Sequence, residues 1–598
     1  MVNYLTGTSQ DAYQAFVNYT EGIYIGYRYY ETRWVDNQTG QIDEEAYGEA
    51  VQYPFGYGLS YTTFNQSIQG FNVDNATISV DVEVENTGNV SGKDVVQIYY
   101  TPPYYSGGIE KSHVVLAGFA KTKVLAPGES EIVNIEFSVE DMASYDYVDN
   151  QCYVLDKGTY EIKLMENAHV LLDSREYIVD DTIVFDSENK RESDDTAAVN
   201  QFDDVTYGGD ISYVSRADWE GTLPTERTED KDASQELIDA LNNLEVVDNP
   251  EDEDIMLKDN GLEFSDMTGA EYDDPRWEKL LEQITPEEMA ELVGMGGYIT
   301  VEIPSINKPR TSESEGPAGV SGFMNDIQGV QYCSAVVVAS TWNTELANRM
   351  GVTIAQKEKV YGFDGAMAPA MNIHRTPFSG RNFEYYSEDP FISGKMGANV
   401  IQGYRSEGVN TFVKHFALND QESNRCGLCV WANEQSMREI YFKPFEMAVK
   451  EGGTLAMMSS TNRIGSTYAG NSYALLTTIL RDEWGFRGTV VTDMARNYYQ
   501  VPDQEIRAGN DLMLAPTGMI PDERSTETNT GKQALRRATH NILYTLANSC
   551  AMDMADRQNT KTWLFVLGIA DIIILAAATT GLYKLTHRSG KKTLNIEK

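Results

Sequence analysis

Basic residues are scarce in this chain. Its 598 residues hold 47 Lys and Arg against 91 Asp and Glu, a formal net charge of −44. That shortage argues against nucleic acid as a partner, because neutralising phosphates takes a basic surface. It says little about a neutral ligand. Cysteine is scarce as well: the five residues make no disulfide framework. Cys426 and Cys429 have a metal-like spacing, but no second Cys or His pair follows where a zinc site needs one. Ordinary loop cysteines are expected, with no metal and no cofactor. The opening residues lack a basic region followed by an apolar run, so no signal peptide is expected before Val2.

What is present points to several domains. The stretch Trp484 to Asp493 reads as a turn, a β-branched strand at Thr489, Val490 and Val491, and a carboxylate where the strand runs out. At the C-terminal end of a parallel barrel strand such a carboxylate serves as nucleophile, metal ligand or substrate clamp; elsewhere it merely caps the next helix. Other stretches repeat the pattern. Val413 to Phe416 and Leu455 to Ser460 also end apolar strands in polar residues. Gly365 to Pro369 and Asp511 to Leu514 read as further strands, with helical patterns such as Arg438 to Phe445 between them. Alternating strands and helices describe a (β/α) barrel.

These residues resemble glycoside hydrolase family 3, which contains the β-glucosidases. The matching motifs are Ser314 to Gly319 (SEGPAG), Gly380 to Glu384 (GRNFE), Ser387 to Pro390 (SEDP), Lys414 to Asn419 (KHFALN), Gln421-Glu422 and Val490 to Asp493 (VVTD). The likeness covers Tyr272 to about Met552, and also Glu21 to about Val179. It implies a multidomain fold: a (β/α)8-type barrel, a fibronectin type III-like β-sandwich, the remnant of an α/β sandwich domain, and one C-terminal transmembrane helix. The order is inverted, with the barrel last.

Residues 1–64 are expected to be the C-terminal remnant of the α/β sandwich. Glu21 to Tyr30 alternates small and aromatic residues like a strand, and Tyr53 to Tyr61 is too rich in turn residues for a regular helix. Residues 65–180 form the fibronectin-like module: Thr77 to Glu85 alternates apolar and polar residues, and Val95 to Tyr100, Glu131 to Phe137 and Gly158 to Leu164 follow as strands. Its role is a structural spacer or a second carbohydrate contact. Residues 181–270 read as a loosely wrapped acidic linker. Asp194-Asp195, Asp203-Asp204 and Glu251 to Asp254 are expected as solvated charge, since an EF-hand's Gly and closing Glu are missing. Trp219 and Tyr207 hint at packing. The barrel spans 271–552, and Thr285-Pro286-Glu287-Glu288 starts a helix with Met289, Leu292 and Val293 inward. Residues 562–584 are apolar and long enough to cross a bilayer, with Trp563 and Tyr583 at the interfaces and Asp571 near the middle. Lys584, Arg588, Lys591 and Lys592 place the tail, 585–598, in the cytoplasm and the globular part outside.

A retaining glycosidase needs two carboxyl groups about 5–5.5 Å apart. The resemblance makes Asp493 the nucleophile and implies substrate contacts at Glu315, Arg381, Lys414, His415 and Met458. Glu315 stands where the family usually has Asp, Met494 where a Trp is common, and Thr461 where an aromatic residue is frequent. The family's acid/base Glu comes from the sandwich domain, and no candidate for it precedes Glu21. The loop Phe416 to Glu422 lacks the second His that a subgroup uses instead. The expected activity is therefore release of terminal β-D-glucosyl residues by double displacement, with the acid/base unknown. The alternative is an idle carbohydrate-binding surface protein. Expected partners are an oligosaccharide or glucoside, the membrane, and a missing N-terminal portion as a separate chain.

Overall fold

The computed structural model describes residues 3–7, 14–203, 211–324, 326–495, 499–553 and 562–588. Asp204, Tyr207, Lys591 and Lys592 lie outside them.

The sandwich follows from its alternation. Ile78, Val80, Val82 and Val84 are all fully buried along the strand Thr77–Asn86, which pairs with Phe64–Asp74 on one side and Ser130–Ser138 on the other. Facing it is a four-stranded sheet in the order Leu171–Val179, Gly158–Met165, Val95–Thr101, Val115–Lys121. Side chains from the two inner faces form one core. Asn86 fastens the turn after its strand: its Nδ2 donates to the carbonyls of Val90 and Leu125, both at 2.8 Å.

The barrel-type sheet has six strands, in the order Ile299–Thr300, Thr311–Ser314, Gly365–Ala366, Asn410–Phe416, Ala456–Ser459, Thr489–Val491. The first pair is antiparallel and the rest are parallel. A bridge from Val491 to Leu512 adds one contact at the far edge. The segment between the edges, residues 293–298, accepts from Met513 N at Val293 O (2.8 Å) and from Glu313 N at Tyr298 O (3.0 Å). Among the described residues the ring is thus a half-barrel rather than eight complete strands. Two of the expected strands are cut short. Pro369, with no N–H to donate, follows Gly365–Ala366 closely, and Asp511 to Leu514 contributes a bridge only. Thr285 caps its helix as expected, with Glu288 N donating to Thr285 Oγ1 (3.2 Å) and Thr285 N to Glu288 Oε2 (3.1 Å). Met289, Leu292 and Val293 are buried.

Residues 14–33 are woven into the barrel. Gln14–Asn18 runs parallel to Cys429–Trp431 in a sheet that also takes in Asn3–Thr6, Asp230–Asp232, Arg463–Ile464 and Thr467–Tyr468. The strand expected over Glu21 to Tyr30 is instead a loop followed by the helix Gly26–Arg33. The burial spacing explains it: Tyr27, Arg28, Glu31 and Thr32 face inward, a helical period rather than an alternating one. Tyr27 joins three parts. Its hydroxyl donates to Asp389 Oδ2 (2.9 Å), at the start of the barrel helix Pro390–Ser406, and accepts from Leu116 N (3.1 Å) in the sandwich.

The acidic segment is a strap, not a loose linker. Asp194 is 3 % exposed and binds Arg191 (2.8 Å) and Lys450 (2.6 Å); Arg191 reaches Glu446 at 2.9 Å. Farther on, Asp248 meets Arg507 (2.6 Å) and Asp254 meets Lys532 (2.9 Å). Phe202 and Trp219 are buried in the main core, with Trp219 edge-on to Tyr24 at 4.9 Å. Asp195, Asp203, Glu251, Glu253 and Asp254 are exposed, as expected of solvated charge; Asp194 is the exception, and apart from Arg191 the cations that hold the segment, Lys450, Arg507 and Lys532, lie far along the chain. The helix Thr562–Arg588 holds one candidate span, Leu567–Leu585, with mean hydropathy 1.4 and none of it buried.

Arg438 is buried where the strap and the strand Ser144–Asp146 meet the barrel. It pairs with Glu483 (2.7 Å) and Glu434 (2.9 Å), all three side chains at most 2 % exposed, and its guanidinium lies over Tyr145 at 4.6 Å. Arg438→Met leaves two carboxylates buried without their partner, which costs about 3–5 kcal/mol. A thermal melt should show a midpoint several degrees lower; an unchanged midpoint contradicts the assignment.

Candidate active site

The strand Thr489–Val491 is buried on both faces, so it carries Asp493 to the C-terminal end of the parallel strands. The backbone there is pinned: Thr492 N donates to Leu512 O (2.9 Å) and Asp493 N to Ser459 O (3.0 Å). Asp493, 7 % exposed, accepts from Met494 N at Oδ1 (2.7 Å). Its other oxygen faces Arg425 Nη1 at 3.2 Å.

Arg425 is the centre of a chain of ion pairs. Its Nε lies 3.4 Å from Glu422 Oε2, and Glu422 Oε1 lies 3.9 Å from Arg381 Nη1. Arg381 in turn binds Glu384. Burial raises the Glu422 carboxyl above its usual range, against the pull of Arg425 and Arg381. Arg425 escaped the reading of the sequence; it lies on the loop of Glu422, after the strand that carries Lys414, and only the fold shows that it turns back on the nucleophile candidate.

Glu315 and Lys414 make a second pair, 2.6 Å apart. The longer side chain of Glu315 also accepts from the Tyr298 hydroxyl at 2.7 Å. Burial opposes its charge, yet Lys414 and the Tyr298 hydrogen bond hold the carboxyl below its usual range. The motif glycines allow the loop that follows. Gly316 and Gly319 have φ of 104° and 150°, and a Cβ on Gly316 would sit 2.6 Å from Gly319 O.

His415 is 2 % exposed. Burial, helped by Arg381, Lys414 and Arg425, pushes its pKa well below the usual value, so the imidazole is neutral. Asn372 fixes its tautomer. The amide Nδ2 donates to His415 O (3.0 Å), so Oδ1 is the atom that accepts from His415 N (2.9 Å) and Nδ1 (3.2 Å). With the proton on Nδ1, Nε2 keeps a lone pair that can accept from a hydroxyl. Met458, next to the C-terminal end of the strand Ala456–Ser459, is buried in the apolar cluster with Phe412, Val491 and Leu512. Met494 packs, partly buried, against the same cluster. Thr461 has an aromatic neighbour after all: its hydroxyl is 2.8 Å from the Tyr499 hydroxyl. Cys429 lies buried in the strand Cys429–Trp431, where burial pushes its thiol up to about 11.

A parallel half-barrel with carboxylates, cations and a neutral imidazole at its strand ends lies beside a β-sandwich in this multidomain chain. Comparison with known proteins shows what it resembles. Residues 319–521 match the glycosyl hydrolase family 3 N terminal domain, and residues 94–168 a fibronectin type III-like domain. The chain is 34 % identical over 536 residues to β-glucosidase A of Butyrivibrio fibrisolvens, covering 83 % of this chain and 61 % of that protein. It is 31 % identical over 565 residues to a β-glucosidase of Ruminococcus albus, covering 89 % and 55 %. The crystal structure of a β-glucosidase from Paenibacillus barengoltzii superposes with a TM-score of 0.70 at 28 % identity, over 92 % of this chain and 60 % of that one. The chain is similar to the β-glucosidases of glycoside hydrolase family 3, and it spans 55–61 % of the length of these two curated relatives.

The neutral His415 can be checked directly. Histidine NMR should show its imidazole flat from pH 5.5 to 8 with the Nδ1–H tautomer, while an exposed histidine titrates near 6.5. The linkage has a definite sign. The unfolded chain takes up a proton below about pH 6.5 that folded His415 refuses, so this residue lowers stability as pH falls. A His415 midpoint between 6 and 7 contradicts the burial argument.

Proposed function

We propose that this chain carries the glycone half of a retaining β-glucosidase. Asp493 is the nucleophile, and Glu315, Arg381, Lys414, His415 and Arg425 grip the terminal sugar. The observation that carries the reading is the Asp493–Arg425 contact at 3.2 Å, set at the strand ends beside the Lys414–Glu315 pair. Asp493 attacks the anomeric carbon, the glycosidic bond breaks, and the leaving oxygen takes a proton. Water then hydrolyses the glycosyl ester once a base removes its proton. The relatives' names supply the glucosyl class of substrate.

Ion pairing turns the carboxylates around Asp493 toward gripping, even Glu422, whose carboxyl is raised by burial. Glu315, Glu384 and Glu422 are each ion-paired to Lys414, Arg381 or Arg425. The reading therefore assigns the acid/base to a segment other than these, including a separate chain that completes the site. The same observation favours the second reading, a carbohydrate-binding surface protein without turnover. In either case the units are taken as 1–64, 65–180, 181–270, 271–552 and 562–584, with 585–598 as a cytoplasmic tail. The C-terminal helix anchors the protein, with its globular part outside the cell.

Leaving-group dependence separates the two readings. A dinitrophenolate leaves without an acid, whereas the sugar alkoxide of cellobiose needs a proton, and general acid–base assistance is worth about 10²–10⁴-fold. The chain should cleave dinitrophenyl β-glucoside while cellobiose cleavage lags by that factor. Azide should speed turnover and yield β-glucosyl azide, and Asp493→Asn should abolish both. No cleavage of the dinitrophenyl substrate supports the binding protein. Cellobiose hydrolysis at the aryl-glucoside rate without an azide effect contradicts the missing donor.

A further inference from the structure

The loop after Glu315 folds back on the site. Glu315 N donates to Ser321 O at 2.7 Å, and Gly322 N to Ile327 O at 2.8 Å. That turn carries Phe323 onto Tyr298: the rings stack with centroids 4.8 Å apart and planes inclined by 21°. Tyr298 is itself constrained. Its backbone has φ 61°, in the left-handed region that a bulky residue rarely adopts, and its hydroxyl is held by Glu315. The outer part of Phe323 is unused by the fold, since the residue is 54 % exposed. A rigid aromatic surface thus stands beside the Glu315–Lys414 pair. Met494, the residue after Asp493, packs partly buried against the apolar cluster and supplies no ring.

We propose that the Tyr298–Phe323 stack is the aromatic platform for the pyranose ring at this site, with Phe323 as its specificity-determining residue. A β-glucopyranose has equatorial hydroxyls around its rim and a flat, apolar C–H face. Glu315 and Lys414 take the rim by hydrogen bonds, and Phe323 covers the face, removing both surfaces from water. An axial hydroxyl would strike the ring, so the platform selects glucose over epimers that carry one on that face. This inference rests on the saccharide reading of the site.

The test is glucose binding to the full-length protein, by calorimetry, with Phe323→Ala, Phe323→Trp and Lys414→Met in parallel. Phe323→Ala should weaken binding about 3–10-fold, the worth of one aromatic contact. Phe323→Trp should keep it, and the preference for glucose over its epimers should shrink in the alanine variant. Phe323 sits on an exposed turn, so an unchanged melting temperature will show that the variant is folded. If Lys414→Met abolishes binding while Phe323→Ala binds as tightly and as selectively as the unmodified protein, the platform is wrong and the sugar site stands. If neither variant changes binding, the saccharide reading falls with it.

Discussion

An acidic chain that gathers carboxylates out of water has to match them with cations or keep them protonated, and the matched ones shape the site of this molecule. At the strand ends Asp493 and Glu422 share Arg425, while Glu384 and Glu422 share Arg381. Glu315 takes Lys414. Taking charge out of water is costly unless it is paired and hydrogen-bonded. The same matching that makes burial tolerable sets the directions of the donors a sugar hydroxyl would meet. It also explains the neutral histidine: with Arg381, Lys414 and Arg425 nearby, a further buried cation at His415 is disfavoured.

The junctions between the parts obey the same rule. Arg191, Asp194, Glu446 and Lys450 fasten the acidic strap to the barrel. Arg375 binds Glu21 and lies over Tyr19 at 3.9 Å, fastening the N-terminal segment. Strap, segment and sandwich therefore converge on one body rather than hanging from a linker. One consequence is electrostatic. Glu439, partly buried where it accepts from Tyr145 N (2.7 Å), is pushed up to about 7 by desolvation. Its folded pKa stands above the unfolded value, so the stability tied to its proton is present in acid and declines as pH rises toward 7.

Local signals were readable in the sequence where the physics is local. Alternation over Thr77 to Glu85 announces a half-buried strand, and Thr285 with Glu288 announces a helix start. Three β-branched residues before Asp493 announce a buried strand end. Non-local pairing left no such mark. Nothing near Asp194 shows that Lys450 will neutralise it, and nothing near Arg425 shows that it will reach Asp493. Glu21 to Tyr30 misleads because its small and aromatic residues alternate over a few positions, whereas the burial that decides the helix Gly26–Arg33 has a period of about 3.6. The platform at Phe323 was invisible for the same reason: it depends on a turn that brings a loop tip onto Tyr298.

The central claim is that the residues in hand assemble a working nucleophile. Incubation with 2,4-dinitrophenyl 2-deoxy-2-fluoro-β-glucoside tests it most directly, because departure of the leaving group needs no acid and the fluorine slows the second step. Mass spectrometry of the intact protein, followed by peptide mapping, should find one fluoroglucosyl group esterified to Asp493. An unlabelled protein, or a label on any other carboxylate, would contradict the account.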